Sequence, residues 1–291
     1  MAGIDLGLLP PLTVVKQMTH EEIQAEMVKV GQLDGVNPSD AAFRPVLAGS
    51  YRETLLRQDA DEQCRALSLA TARGTDLDHL GITYYRQSDG VPVTRLTGEP
   101  DDDYRLRLHN SPGGLSVAGP TLAYEFHSMS AHPNIKQALC ISPAPVQITM
   151  YLLGRQGSGV VSDAQCRLVE AYLESRRPVT DQVKAVSAEI IEYAIKAKVY
   201  QVKNSDPDGV TASSLANCKR YTDQQHRLKG KVTMSSLHAA LQVAGVEEVV
   251  LEGWNDVRCG QHQAPYCISL EVEFGGWGDA YETTRPARPP Q

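Results

Sequence analysis

The sequence predicts an α+β protein, with an N-terminal helical bundle piece followed by two small antiparallel α+β lobes, ferredoxin-like or similar. Three observations point there. Up to about residue 112 the apolar residues recur at helical spacing with few aromatics among them. From Ser116 onward, helical stretches alternate with half-polar strands of period two in the order helix, strand, strand, helix, strand. A helix-then-strand layout returns at Met234–Trp254, resembling Leu115–Ile141. The chain therefore divides into an extended N-terminal arm (1–18), a helical assembly domain (19–112), a first α+β lobe (113–191), a second α+β lobe (192–275) and an extended C-terminal tail (276–291).

Residues 1–18 carry apolar side chains without periodicity and the pair Pro10-Pro11, which cannot propagate a helix. Leu6, Leu8, Leu9, Leu12, Val14 and Val15 need a surface to lie on. Thr19 opens a helix through a capping box to Glu22, and it ends near Gly31 or Gly35. From Asp40 to Arg73 the pattern is helical again, with Leu56, Ala60, Cys64 and Leu67 on one stripe. So narrow a stripe on so small a piece predicts an apolar face completed by another chain.

Ser116 is expected to cap a helix ending before Pro133, and Ile135–Ile141 and Val146–Leu153 to be strands. In the second strand Val146, Ile148, Met150 and Leu152 should share a face. Ser162 and Gln165 form a capping box for a helix with Leu168, Val169, Tyr172 and Leu173 inward, and Val183–Ile190 is a strand. The second lobe is expected to hold a strand around Tyr193–Tyr200, helices at 209–230 and Thr233–Ala244, and a strand at Val246–Leu251. Its clearest strand places Ile268, Leu270, Val272 and Phe274 on one core face.

The punctuation of the central stretch follows from local rules. Gly74 and Gly81 are expected as left-handed helix ends, Thr75 with Asp78 as a capping-box-like start, and Asp101–Asp103 after Pro100 as a solvated helix N-terminus. The same stretch carries a recognisable order: Asp76-Leu77-Asp78-x-Leu80-Gly81, Arg86, Tyr104-Arg105, then Ser116-x-Ala118-Gly119-Pro120-x3-Tyr124, Ser142-Pro143-x-Pro145 and Arg177-Pro178-Val179-Thr180-Asp181-x-Val183. This order, covering about Tyr51 to Tyr200, resembles the J-like baseplate protein family of contractile phage tails. One departure is Val146-Gln147, where the family usually has a glycine. Bottom-up, Pro178 must end its helix at Arg176 or Arg177, and Asp181 can pair with a neighbouring arginine; a local helix-to-strand corner accounts for every residue here, and a corner that props the two lobes at a fixed angle is the functional variant.

Chemistry is thin. A formal charge of −7 lacks the clustered cations that nucleic acid needs. No run of about 18 apolar residues exists to span a membrane, and no secretory signal opens the chain, so folding in a bacterial cytoplasm is expected. Six scattered cysteines without a CxxC read as free thiols. Cys259, His262 and Cys267 have soft-ligand spacing but no fourth partner. Gly154–Gly159 lacks the Lys-Ser/Thr ending of a phosphate loop, and Gly114-Leu115-Ser116 lacks the second glycine of a nucleophile elbow. No catalytic residue, cofactor or metal is expected.

The resemblance implies a structural subunit of a contractile injection tail, as in a myophage or an R-type pyocin. It implies a wedge of two J-like chains and one I-like chain joined through an N-terminal helical bundle, placed around a spike hub and in contact with a small lysozyme-like wedge protein under the sheath. Such a wedge passes the trigger for sheath contraction and resides in the tail baseplate. Leu56 and Leu67 would then lie in the assembly seam. The alternative from the residues alone is a soluble α+β enzyme or ligand-binding protein whose site is assembled from distant positions.

Overall fold

The computed structural model describes residues 9–10, 12–33, 35–116 and 118–278. They fall into two compact units, Met1–Pro112 and Gly113–Gln291. The chain has the α+β character expected, with its N-terminal part helical. Residues 1–8 of the expected arm and 279–291 of the expected tail lie outside the described residues.

In the first unit, α1 (His20–Val30) begins at the expected capping box: Thr19 Oγ1 accepts the Glu22 amide and Glu22 accepts the Thr19 amide at 2.8 Å. A single turn, Ala41–Phe43, leads into α2 (Arg44–Ala66). This helix stops before the expected Arg73, because Leu67 and Ser68 donate back to Cys64 and Arg65 and tighten the end into turns. Two further helices follow, α3 (Gly74–Tyr84) and α4 (Asp101–Asn110).

The face that α2 buries is not its most apolar one. Val46, Ser50 and Asp61 are buried, while Leu56 is 59% and Leu67 77% exposed. Ser50 Oγ meets His20 Nε2 at 3.1 Å, and Asp61 accepts the Val14 and Val15 amides. Polar groups with partners take the inner line, and the apolar stripe is left outside. The stripe is thus open within this chain.

The second unit begins with α5 (Thr121–Ala131), β1 (Ile135–Ala144), β2 (Gln147–Gly154), α6 (Asp163–Glu174) and β3 (Gln182–Ser187). The helix starts five residues after Ser116, whose Oγ only accepts the Ala118 amide; Pro120 is the cap. Then come β4 (Glu189–Gln201), α7 (Pro207–Gln225), β5 (Lys231–Val232), α8 (Met234–Leu241), β6 (Val246–Leu251), β7 (Val257–Arg258) and β8 (Gln263–Trp277). The sheets run β1-β2-β3 and β6-β4-β8, with β5-β7 a small ladder.

Both three-stranded sheets are mixed, where antiparallel lobes were expected. Each central strand, β2 or β4, has an antiparallel neighbour on one side and a parallel one on the other. The cause is visible in the chain: α6 separates β2 from β3, and a helical crossover returns a strand parallel. The first core gathers Met150, Leu152, Val169 and Leu173 under α5 and α6; the second gathers Ile195, Val199, Cys218, Leu237 and Leu241.

The expected strand Val183–Ile190 breaks at Ala188. The Ala188 amide donates to Leu152 O in the first sheet at 2.8 Å, and the next amide, Glu189, donates to His262 O in the second at 3.1 Å. Leu153, Ala188 and Ala264 are buried at this crossing, with Ile190 and Leu228 packed on them. Lys136 Nζ donates to His226 O at 2.7 Å and the Leu228 amide to Gln137 Oε1 at 2.8 Å, so side chains of β1 grip the end of α7. His226 Nδ1 lies 2.9 Å from Pro265 O and donates to it.

Three details depart from simple alternation. Leu168 is 54% exposed because α6 turns Cys166, Val169 and Leu173 inward. Ile268 and Phe274 sit at irregularities in the β4–β8 register and are 58% and 42% exposed, while Leu270 and Val272 pack inward. Val146 lies between β1 and β2 with φ 71°, the left-handed region where a β-branched residue clashes. Val146→Gly should therefore raise the melting temperature, since relief of about 1–2 kcal/mol of strain exceeds the extra unfolded-state entropy of glycine; calorimetry of the two chains checks it.

Burial holds the His226 imidazole below its ordinary pKa of 6.5, against the raising effect of its bond to Pro265 O; Lys136 opposes its charge, Asp223 favours it, and the Tyr266 ring lies against it. A depressed histidine stabilises the fold above the unfolded value and loses that contribution as pH falls below about 6.5. Chemical denaturation between pH 7.5 and 5 should show a steeper loss for the natural chain than for His226→Gln.

Candidate assembly site

The first recognised cluster forms inside the helical unit. On α3, Leu77 and Leu80 are buried, and Gly81 sits in mid-helix, not at a helix end. A Cβ there would overlap the Tyr104 hydroxyl and lie 3.0 Å from Val93 O. Tyr104, fully buried, donates to Val93 O at 2.7 Å, and burial pushes its pKa up to about 12. Gly81 is thus a passage for an aromatic ring.

Around that ring lies a net of charges. Arg95 sits 4.8 Å over it and Arg107 5.2 Å. Arg107 binds Glu99 at two points, 2.9 and 2.7 Å, with both side chains at most 3% exposed. Glu99 also accepts the Leu96 amide, and Arg107 donates to Thr94 O. Asp78 pairs with Arg95 at 2.6 Å instead of capping α3, which has no side-chain cap. Asp101 accepts the Gly74 amide and pairs with Arg95 at 2.8 Å, so the acidic helix start is partly a clamp. The Gly74 bond is the main cause that lowers the Asp101 pKa. Gly74 has φ 52° as expected of a left-handed residue, but it opens α3 where it was expected to close the helix before. Arg105 donates to Leu69 O and Ala72 O, tying the turn after α2 to α4. Asp76 is exposed, and Arg86 is exposed with its guanidinium on the carbonyls of Ile82 and Tyr85.

The second cluster unites two motifs distant in sequence, with Tyr124 and Asp181 57 residues apart. Tyr124, 2% exposed, donates to Asp181 Oδ2 at 2.5 Å, and burial first, then this bond, raises its pKa. Gly119, at φ 73°, lets the chain pass Pro178, whose Cγ would be 2.9 Å from a Cβ. Arg177 donates to Asp181 O at 2.6 Å and to Pro178 O and Val179 O, and pairs with Glu174 at 2.5 Å. Thr180 Oγ1 donates to Asp181 Oδ1. Pro120 begins α5, and Ala118 is exposed beside it. One expectation is corrected: the Asp181 carboxylate pairs with a tyrosine, because Arg177 reaches the main-chain carbonyls. The corner is a local helix-to-strand turn, tied through Tyr124 to α5.

Comparison with known proteins places these clusters. The chain is 34% identical to Baseplate protein J of Escherichia phage P2 over 301 residues, spanning 95% of this chain and 99% of that one. The Baseplate J-like N-terminal domain matches residues 39–102 and the Baseplate J-like central domain residues 116–187.

The chain belongs to the baseplate J-like family.

Among solved structures, the anti-feeding prophage baseplate contains a chain similar over 58% of this one and 42% of its own length, at 15% identity and a TM-score of 0.39. A likeness of that size adds nothing to the assignment. The central-domain match contains the whole Tyr124–Asp181 cluster, and the N-terminal match contains Asp78, Gly81, Arg95 and Glu99. Both clusters fall largely within the matched domains, and in the structure both are packing clusters.

Sequence reasoning missed Glu99, Arg95 and Arg107, whose buried pairing leaves no periodic signal, and Asp61, whose only hint was its place on the inner line of α2. His262 and Cys267 have other partners: His262 faces the Tyr151 ring at 5.1 Å and Glu189 at 3.5 Å, and the Cys267 thiol donates to Ser269 O. Among the described residues no three His, Cys, Asp or Glu side chains are gathered to hold a metal ion.

Asp181→Ala leaves the buried Tyr124 hydroxyl without its acceptor and should cost about 1–3 kcal/mol. Tyr124→Phe made in the Asp181→Ala chain should then cost almost nothing further, a double-mutant coupling readable by urea denaturation. Independent, additive losses would contradict the assignment of the bond.

Proposed function

We propose that this chain is a wedge subunit of the baseplate of a contractile tail, two copies joining one I-like chain through the helical unit. Family membership makes it a structural baseplate protein and not an enzyme. The observation that supports the finer reading is the uncovered face of α2. Leu47, Tyr51 and Leu55, each four residues apart, are 39%, 58% and 36% exposed, and Leu56 beside them is 59% exposed. Three residues in steps of four make one stripe along a helix, the form of surface that another helix covers. In this reading the wedges encircle the spike hub, meet the small lysozyme-like wedge protein and relay the trigger for contraction by a change of ring packing, with no bond chemistry. A phage, an R-type pyocin or another contractile system fits this reading equally, with assembly in the host bacterial cytoplasm.

No observation favours the enzyme or ligand-binding alternative. The buried polar groups around Tyr104 and Tyr124 bind each other or main chain. No described helix is long and apolar enough to cross a membrane.

Leu56→Asp and Leu67→Asp test the reading. Both positions are open in the single chain, so melting of the isolated protein should change by no more than about 0.5 kcal/mol. Co-purification with the I-like chain should fall at least tenfold. Unchanged wedge assembly by both variants would count against it, as would a clean monomer that ignores the neighbouring tail proteins.

A further inference from the structure

The arm ahead of α1 is held along α2 almost entirely through its main chain. Asp61 Oδ1 accepts the Val14 amide at 2.9 Å and the Val15 amide at 3.1 Å, and Oδ2 accepts the Gln17 side-chain amide. Arg57 donates to Lys16 O at 2.9 Å and Arg65 to Leu12 O at 3.2 Å. Arg57 is itself steadied by Glu53. Asp61, a carboxylate in mid-helix, is only 2% exposed.

The spacing explains why these three residues work together. Positions 57, 61 and 65 lie on one line of a helix, about 6 Å apart for each step of four. Lys16, Val14 and Leu12 are alternate residues of an extended chain running the other way, about 6.6 Å apart for each step of two. Donor, acceptor and donor on the helix therefore meet main-chain carbonyl, amide and carbonyl in register. Such a clasp recognises an extended backbone and one glutamine, and it reads no apolar side chain. Leu9, Leu12 and Val14 accordingly stay 48%, 48% and 64% exposed.

We propose that the Arg57–Asp61–Arg65 line is a docking clasp for the arm of a second copy, and that residues 12–17 exchange between the two copies of this chain. The occupant follows from the clasp itself, because the segment it holds within one chain is present, identical, in the other. Exchange of an identical element keeps every contact and is a low-cost route to a pair. The hinge is short and defined: the capping box fixes the start of α1 at Thr19, leaving Met18 between helix and clasped segment. Held within one chain, the arm leaves its leucines and valine in water; held across two, the same side chains enter the contact between α2 faces. The proposal rests on the reading that two copies meet through the helical unit. Residues 12–17 lie outside both family-domain matches.

Two full-length variants test it. Val14→Pro with Val15→Pro removes the amides that Asp61 accepts and keeps the clasp; Asp61→Ala removes the acceptor and keeps the arm. Each alone should melt cooperatively and show fast deuterium exchange at the arm. When the two are mixed, the Val14 and Val15 amides of the Asp61→Ala chain should become protected at least tenfold, since only the proline chain offers a clasp. Unchanged exchange on mixing, while natural copies pair in native mass spectrometry, overturns exchange alone. Natural copies that never pair, with or without the I-like chain, overturn both this and the wedge reading.

Discussion

A strand can pair in one sheet at a time, and the second unit is built around the residue where the chain changes sheets. Ala188 and Glu189 are consecutive, yet their amides serve different sheets. No loop separates them, so the first lobe ends where the second begins. Any rotation about this crossing would strip hydrogen bonds from one sheet or the other. The buried contact of Leu153, Ala188 and Ala264 then covers the crossing. Lys136 and Gln137 add a second attachment by gripping the end of α7, far along the chain from the strands. Two lobes with separate cores are thus joined at this crossing between strands and at a second, side-chain attachment.

Charged side chains in this protein hold main chain more often than they hold one another. Arg105 fixes the turn after α2, Arg107 the carbonyl of Thr94, Arg177 three carbonyls of its own corner, and Asp61 two amides of the arm. Ion pairs such as Arg177–Glu174 only steady the arginine that makes these bonds. Irregular segments cannot satisfy their own backbone groups, and a guanidinium fork can reach several carbonyls at once. Motifs shared with the J-like family fall on these clamps and on the glycines that admit Tyr104 and Pro178. A cluster in which every polar group has a neighbour is rigid and chemically silent.

Local rules made much of the fold legible. The capping boxes at Thr19 and Ser162 start helices as expected because both partners lie within one turn, and the strands around Met150 and Leu270 alternate as their sequences do. What was not legible depended on distant partners. Gly81 looked like a helix end until Tyr104 was seen to pass it, and Asp78 looked like a cap until Arg95 claimed it. The inner face of α2 was misread because a periodicity count weighs Leu56 and Leu67 above Ser50 and Asp61, while burial was decided by hydrogen-bond partners. Parallel pairing of β3 and β8 follows from helical crossovers, which alternation within a strand cannot reveal. For the recognised clusters the residues were legible through resemblance, but their pairing of Tyr124 with Asp181 was not.

Association through the sheet edges is discouraged by the same economy. In the first sheet the Glu125 carboxylate takes the Cys140 amide and Glu170 takes the Ala185 amide, so each outer strand has a mid-strand donor already occupied. Burial raises the Glu125 pKa while this bond lowers it. In the second sheet β8 carries Pro265 near its start, is kinked by register shifts near Ile268 and Gly275, and carries Glu271 and Glu273. Proline, bulges and like charges each resist the addition of another strand. The sheet also carries cross-strand Lys196–Glu271 and Lys198–Glu252 ion pairs, which set charge on its surface. Leu47, Tyr51, Leu55 and Leu56 of α2 stay exposed on one helix without such protection, and this contrast with the guarded sheet edges is the physical ground for the proposal that assembly uses the helical unit.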